Sequence, residues 1–396
     1  MDTLVVAVVV VALLLFTIDH SHCSNLHRRS HSQSSSLCAE LIKPSGYPCT
    51  EHTVETKDGY LLGLQRVSSS SSRGGDKNVK PIGPPVLLQH GLFMAGDAWF
   101  LNSNKQSLGF ILADQGFDVW VGNVRGTHWS HGHTTLSVKE KDFWDWSWQE
   151  LALYDLAEMI NFVYSMTNSK IFYVGHSQGT IMALAAFTQP EIVDMVEAAA
   201  LLCPISYLGH ISSQFVLRLV GMHLDQMLIA MGIHQLNFRS DFSVHIVDSI
   251  CDDERKNCCF NRSRIDFYLD YEPHPTSSKN LKHLFQMIRK GRFAMYDYGL
   301  LGNLKQYGHI QPPTFDVTSI SKSLPLWMGY GGNDSLADVS DFKHTLEDLK
   351  STPELLYLDS YGHLDFILST KANEDVYCNI IKFFGSRGSS GMSTSF

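Results

Sequence analysis

The sequence is poor in several features that define whole classes of protein. It has no dense block of Lys or Arg, and its formal net charge is −9 over 396 residues. This balance argues against nucleic acid as a partner and against electrostatic capture by an anionic membrane, but it leaves neutral lipid open. No C-x-x-C or Cys/His spacing indicates a zinc site, and the chain contains no internal repeat.

Long hydrophobic runs are scarce as well. Only Leu4–Phe16 is unbroken and apolar, which suits the core of a signal peptide and is short for a membrane span. The small residues Ser21 and Cys23 are spaced for cleavage, so the sequence predicts a signal peptide over 1–23. An uncleaved anchor is the alternative. We expect entry into the secretory pathway and no transmembrane segment after cleavage.

Secretion permits disulfide bonds. Eight cysteines minus Cys23 leave seven, so at least one thiol stays free or pairs elsewhere. The short spacings predict two local loops, one closed by Cys38 with Cys49 and the other by Cys251 with either Cys258 or Cys259. The remaining two, Cys203 and Cys378, lie in apolar runs and are predicted to be buried thiols.

Strand patterns alternate with helix patterns along most of the chain. This alternation predicts an α/β fold, with a mostly parallel sheet and helices on both faces. The alternation of strands and helices stops near Tyr207 and resumes after Pro313. This interval is too long for a structureless loop. We interpret it as an inserted helical cap. The predicted organisation is a signal peptide 1–23, a first core part 24–206, a cap or lid 207–313, a second core part 314–385 and a flexible tail 386–396.

The stretch GHSQG is Gly-x-Ser-x-Gly. A strand pattern over Ile171–Val174 precedes it, and a helix pattern starts near Gln178. This context is typical of a nucleophile elbow, in which a sharp strand–turn–helix corner exposes the serine hydroxyl above the sheet. The sequence therefore predicts Ser177 as a nucleophile. The alternative is a Gly-rich connection that happens to contain a serine.

A serine hydroxyl needs a base, and the base needs an orienting acid. Asp334 ends a strand after the interrupted interval, and only His344 and His363 follow it. His344 lies in a helical pattern on an exposed face, whereas His363 follows the last predicted strand. We therefore predict Asp334 and His363 as the acid and the base. The alternatives are a helix cap for Asp334 and a structural hydrogen bond for His363.

Acyl transfer also needs N–H donors for an oxyanion. The residue after the nucleophile is Gln178, and the loop after an early strand offers Leu92 as the second donor. The neighbouring His90 and His176 are interpreted as structural residues that shape the loop and the elbow.

The substrate side is less defined in the sequence. The segment Phe215–Phe238 is rich in Met and Leu and could receive acyl chains. Packing on the core of the cap is an equally good interpretation. The Trp-rich stretch Asp142–Glu150 favours core packing over a binding site.

Several motifs together resemble the acid lipase family of gastric and lysosomal lipases, and within it the plant triacylglycerol lipases. They are LLQHGL, VGNVRGTHWS, YDLAEMINFVY, YVGHSQGT, GGNDSLAD, YGHLDF and NCCFNRSRIDFYLDYEPHP. The resemblance implies an α/β-hydrolase fold with a cap above the site. It also implies triad roles for Ser177, Asp334 and His363, oxyanion donors at Leu92 and Gln178, and glycosylation at Asn261.

The activity that this resemblance implies is hydrolysis of acylglycerols or steryl esters at a lipid–water interface, with no metal and no organic cofactor. A carboxylesterase for short or soluble esters is the nearest alternative, and activity on emulsified against dissolved ester separates the two. A non-catalytic lipid-binding protein with this fold is the alternative from another class, but such a protein usually lacks a triad residue. The expected location is extracellular, vacuolar or lysosomal.

Overall fold

The computed structural model describes residues 36–69, 83–237 and 261–387. The predicted signal peptide 1–23 lies outside these ranges. So do Cys251, Cys258 and Cys259, with their predicted disulfide, and residues 388–396 of the predicted tail.

A nine-stranded sheet forms the centre of the fold. The described residues contain these strands: β1 Cys49–Glu55, β2 Tyr60–Val67, β3 Pro85–Gln89, β4 Asp118–Gly122, β5 Gly132–His133, β6 Ile171–His176, β7 Val196–Leu202, β8 Gln235–Leu236, β9 Thr276–Ser277, β10 Leu326–Gly331 and β11 Glu354–Leu358. The order across the sheet is β1-β2-β4-β3-β6-β7-β10-β11, with β5 beside β2, while β8 and β9 form a separate pair.

The sheet is parallel from β4 to β11 and antiparallel only where β2 meets β1, β4 and β5. Every residue of β3, β4 and β6 is buried. Burial on both faces is expected for the central strands of a parallel sheet, whose crossovers place helices on each side. The predicted α/β architecture is confirmed.

Helices connect these strands. The α-helices of the described chain are α1 Leu108–Asp114, α2 Trp148–Glu150, α3 Ala157–Thr167, α4 Gln178–Ala186, α5 Pro190–Val193, α6 Gln214–Gly221, α7 Leu224–Ala230, α8 Ile265–Tyr271, α9 Ser278–Lys290, α10 Leu300–Tyr307, α11 Val339–Asp348, α12 Asp365–Leu368 and α13 Cys378–Gly385. The π-helical segments are Cys38–Ile42, Leu151–Leu156 and Asn373–Tyr377, and the 3-10 segments are Gly96–Phe100, Lys141–Trp144, Arg262–Arg264 and Val317–Ser319. In the described part of the chain, no helix has the length and apolarity needed to cross a membrane.

Where it is described, the interval that interrupts the strand–helix alternation is mostly helical. Its described part contains α6 to α10 and the short β8–β9 pair. Its role as a cap with the bounds 207–313 stays a prediction. Asn261 lies at its centre, and the Asn261 side chain accepts hydrogen bonds from the backbone and hydroxyl of Ser263. Glycosylation of Asn261 also stays a prediction.

The described cysteines behave as expected with one exception. Cys38 and Cys49 form a disulfide, with 5.4 Å between their Cα atoms, and it ties the first π-helical segment to β1. Cys203 is a buried free thiol, as predicted. The prediction for Cys378 is wrong, because this thiol is only half-buried at the first turn of α13. The apolar run around it buries the opposite side of the helix.

A buried ion network fixes the loop that follows β4. The guanidinium and backbone N–H of Arg125 donate to Asp155, with Nε 2.7 Å from Oδ1, and the same guanidinium donates to Asp58. It also lies 3.7 Å from the ring centroid of Tyr60. The side chains of Arg125 and Asp155 are 1% and 0% exposed. The network therefore joins the β1–β2 turn, the loop after β4 and the π-helical segment Leu151–Leu156.

We predict that Arg125→Leu lowers the free energy of unfolding by about 3–5 kcal/mol, because it leaves a buried carboxylate without its partner. Urea unfolding measures the change. Lys57→Ala is the control, since Lys57 is 72% exposed in its pair with Glu158 and should contribute no more than about 1 kcal/mol. A loss below about 1 kcal/mol for Arg125→Leu would contradict the prediction.

Candidate active site

Ser177 stands at the corner between β6 and α4. Its backbone has φ 53° and ψ −116°, a conformation that side chains with a Cβ rarely adopt and that costs about 1–3 kcal/mol. The Ser177 N–H donates to the carbonyl of Leu202, 3.0 Å away at the end of β7. The adjacent strand therefore helps to hold the strained corner in place, as expected for a nucleophile elbow.

Two glycines allow the backbone to crowd around this corner. A Cβ on Gly91 would lie 3.1 Å from the Cβ of Ser177, and one on Gly179 would lie 2.6 Å from the carbonyl oxygen of Gln89. Larger residues at either place would push apart the serine and the loop after β3. The absence of side chains thus lets this loop pack directly against Ser177.

The structure brings Ser177, His363 and Asp334 together. The Ser177 Oγ lies 2.7 Å from His363 Nε2, and His363 Nδ1 lies 2.8 Å from Asp334 Oδ2. A carboxylate only accepts hydrogen bonds, so Nδ1 carries the proton and Nε2 is free to accept the hydrogen of the serine. His344, by contrast, is half exposed on α11 and stacks on Tyr207.

The surroundings of Asp334 favour its ionised form. Its Oδ1 accepts hydrogen bonds from the N–H groups of Leu336 at 2.9 Å and Ala337 at 2.8 Å. Burial by itself would raise the pKa of Asp334, but His363 and the two N–H donors outweigh burial and hold that pKa below its usual value. The carboxylate can therefore fix the imidazole and stabilise a positive charge on it.

The carbonyl of His363 is held by two side chains whose contact the sequence did not reveal. His176 Nε2–H donates to it at 2.9 Å, and the Cys203 thiol contacts it at 3.4 Å. Burial raises the pKa of the Cys203 thiol, which therefore stays protonated. His176 was expected to shape the elbow, but its link to His363 spans 187 residues and leaves no local signal.

The neighbouring histidines are neutral structural groups. Burial lowers the pKa of His176 to about 3 and that of His90 to about 4. His90 Nδ1 donates to the carbonyl of Gly91 at 2.9 Å, while its Nε2 accepts the N–H of Val124 at 3.2 Å. His90 therefore links the loop after β3 to the loop after β4.

The two predicted oxyanion donors border the same serine. Gln178 begins α4, so its N–H has no partner within the helix. Leu92 directly follows Gly91. Within the described chain, neither of these N–H groups donates a hydrogen bond to another residue. The Gln178 side chain accepts from Asn280 of α9 at 2.8 Å, a contact that also has no sequence signal.

The predicted apolar segment of the cap is mixed in its exposure. Over its described part, 215–237, Leu228 is 4% exposed, whereas Phe215 and Met231 are 44% and 43% exposed. One side of α6 and α7 therefore packs inward, as the core-packing interpretation expects, and the other meets solvent. Reception of acyl chains by the exposed side stays a prediction. The Trp-rich stretch is core, because Trp144, Trp146 and Trp148 are all buried.

Comparisons with known proteins show which families and relatives the chain is similar to. The family described as a partial alpha/beta-hydrolase lipase region matches residues 38–103, and the alpha/beta hydrolase fold family matches residues 84–252. Triacylglycerol lipase 1 of Arabidopsis thaliana is 60% identical over 97% of this chain and 98% of its own length. The human lysosomal acid lipase/cholesteryl ester hydrolase is 33% identical over 94% of this chain and 96% of its own length.

Among solved structures, a soluble variant of monoglyceride lipase from Saccharomyces cerevisiae, in complex with a substrate analog, has a TM-score of 0.54 and 15% identity. The match covers 91% of this chain and 99% of that chain. At this identity, the likeness describes the fold alone.

The buried neutral state of His176 predicts a dependence of stability on pH. Its pKa of about 3 in the folded state lies below the usual 6.5, so its contribution is complete above about pH 6.5 and is lost as the pH falls. Between about pH 6 and pH 4, we expect wild type to lose about 1.4 kcal/mol per pH unit relative to His176→Gln. Urea unfolding at several pH values measures the difference. A constant offset between His176→Gln and wild type across these pH values would refute the prediction.

Proposed function

The chain belongs to the acid lipase family of α/β-hydrolases, and from this membership we propose that it is a serine lipase that hydrolyses neutral lipid esters. The single observation that supports the mechanism best is the continuous hydrogen-bond chain from Ser177 through His363 to Asp334. Triacylglycerols are the proposed substrate class, and steryl esters are a second class that the same chemistry would hydrolyse.

The proposed reaction begins with attack of the Ser177 Oγ on the ester carbonyl carbon. His363 Nε2 takes the hydroxyl proton as the new bond forms, and Asp334 stabilises the resulting imidazolium. The negative charge moves to the carbonyl oxygen. The N–H groups of Leu92 and Gln178 are proposed to bind this oxyanion, which forms fully only in the tetrahedral intermediate.

Collapse of the intermediate breaks the ester bond and leaves the acyl group on Ser177. His363 returns its proton to the departing alcohol. A water molecule then attacks the acyl-enzyme while His363 takes one of its protons, and His363 returns that proton to the Ser177 Oγ as the bond to the acyl group breaks and the carboxylic acid leaves. Each step uses the same serine, imidazole and pair of N–H donors.

Access to the site supports a movable cover. Ser177 is only 8% exposed and Gln178 only 3% exposed, so an acyl chain of the proposed substrate needs a wider opening. We infer that the interval 207–313 is the cover, and that its exposed apolar side chains meet lipid when it opens. The compartment that we propose is the secretory route, ending outside the cell or in a vacuole.

The triad assignment predicts the response of three single substitutions. Ser177→Ala should lower kcat on a dissolved ester by about 10⁶-fold, and His363→Ala should cost nearly as much, because the two groups act as a unit. His344→Ala is the matched histidine control and should stay within about twofold of wild type. Initial rates, with thermal unfolding to verify folding, test this. Substantial turnover by Ser177→Ala, or equal losses for both histidine variants, would overturn the assignment.

The proposed cover predicts that charged substitutions on its exposed side slow the hydrolysis of emulsified ester more than that of dissolved ester. Phe215→Asp and Leu217→Glu place charges on the exposed side of α6, so they should lower the rate on emulsified triacylglycerol at least about fivefold. The rate on a dissolved short-chain ester should change by less than about twofold. Gln214→Asp is the control charge on the same helix, where Gln214 is already exposed. An unchanged ratio of the two rates in both variants would refute the interfacial role and favour a carboxylesterase.

A further inference from the structure

A segment of the cap touches the loop that carries Leu92. Residues 272–274 follow α8, and the backbone N–H of His274 donates to the carbonyl of Phe93 at 2.7 Å. Phe93 has φ 60°, a left-handed conformation that is uncommon for a residue with a side chain. The cap thus holds the residue directly after Leu92 in a backbone geometry that the loop alone would disfavour.

A second contact holds the same loop two residues later. The Glu272 carboxylate accepts a hydrogen bond from the N–H of Ala95, with 3.3 Å between Oε1 and the nitrogen. The next N–H, from Gly96, donates to the Asn123 side chain at 2.8 Å. Loop 91–96 is therefore bound by the cap on one side and by the residue after β4 on the other.

His274 reinforces these contacts from a fully buried position. Its Nε2 lies 2.8 Å from Asp97 Oδ2, which also accepts from the indole of Trp129. The His274 Nδ1 accepts the N–H of His128 at 3.2 Å. Since Nδ1 accepts, Nε2 carries the proton of the neutral ring and donates it to Asp97.

This tautomer argues against a metal ion in the cluster. Asp97, Glu272 and His274 offer three ligand atoms within 4.8 Å of one another. A metal would need the lone pair of His274 Nε2, but that nitrogen carries the proton. The cluster therefore connects protein to protein, joining the cap, the loop after β3 and the loop after β4.

We propose that Glu272 and His274 are positioning residues for the oxyanion site. Their contacts with loop 91–96 would determine the position of the Leu92 N–H. The proposal rests on the proposed function, in which Leu92 is a donor. Neither side chain needs to touch the substrate. When Glu272 and His274 contact the loop, Leu92 stays beside Ser177. When they move away, the Phe93 carbonyl loses the hydrogen bond that holds its backbone.

Such a role predicts a specific kinetic signature. The oxyanion is complete only at the tetrahedral stage, so a misplaced donor lowers kcat and leaves KM nearly unchanged. A displacement on the order of 1 Å can cost about 10²-fold in rate. A residue that only stabilises the fold would instead lower the melting temperature without this division between kcat and KM.

The experiment compares Glu272→Met, which removes the acceptor at similar length, with Glu272→Gln, which keeps an oxygen for the Ala95 N–H. On a dissolved short-chain ester, we expect Glu272→Met to lower kcat about 10- to 100-fold with KM within about threefold. Glu272→Gln should recover most of the loss. The affinity for an alkylboronic acid, whose tetrahedral adduct with serine resembles the intermediate, should fall by a similar factor to kcat.

Asp270→Met is the matched control, because Asp270 is an exposed carboxylate on α8, two residues before Glu272. It should keep kcat within about twofold. If Glu272→Met does not fold, His274→Gln replaces it, since glutamine retains a donor toward Asp97 and lacks the fixed ring acceptor for His128. A fall in kcat with KM nearly unchanged is then expected.

The outcomes separate this proposal from the proposed function. Unchanged kcat in a folded Glu272→Met or His274→Gln enzyme, a loss confined to KM, or equal losses in the Met and Gln variants of Glu272 would overturn the positioning role. Wild-type hydrolysis that persists in Ser177→Ala would overturn the proposed function itself.

Discussion

The strained backbone of Ser177 is the constraint on which the rest of the site depends. The residue cannot relax, because its N–H is bound to Leu202 and because Gly91 and Gly179 let two neighbouring segments pack against the corner. In the proposed mechanism, a hydroxyl held in this way loses little freedom when it reacts, so its attack geometry is set during folding. The burial of the surrounding sheet offsets the free-energy cost of that strained backbone.

The parallel order of the sheet gathers distant residues at one edge. The strands β3, β6, β10 and β11 are each followed, within one to five residues, by a residue with a proposed role, and the carboxyl ends of parallel strands face the same way. Around that edge, burial keeps His90 and His176 neutral while Asp334 keeps its charge. The charge in this part of the site therefore lies on the Asp334–His363 pair, where the carboxylate can stabilise an imidazolium formed by proton transfer.

Much of the fold and the proximity of Ser177, His363 and Asp334 could be predicted from the sequence because their signals are local. The elbow combines a strand run, a glycine-flanked serine and a helix run, and chain order then selected Asp334 and His363. The contacts of Cys203, Glu272 and His274 could not be predicted, because they join segments far apart in sequence and depend on how tertiary packing orients each side chain. The half-buried state of Cys378 shows the same limit, since an apolar run does not specify which side of its helix faces inward.

The position of His363 after β11, late in the chain, determines when the proposed site can be completed during synthesis. Synthesis proceeds from the amino terminus, so Ser177 and both proposed oxyanion donors exist in the growing chain well before His363 follows β11. Without the imidazole, the serine hydroxyl remains a poor nucleophile. In the proposed mechanism, a partly synthesised chain is therefore inert toward ester substrates, and activity appears only when β11 joins β10 and His363 reaches Ser177.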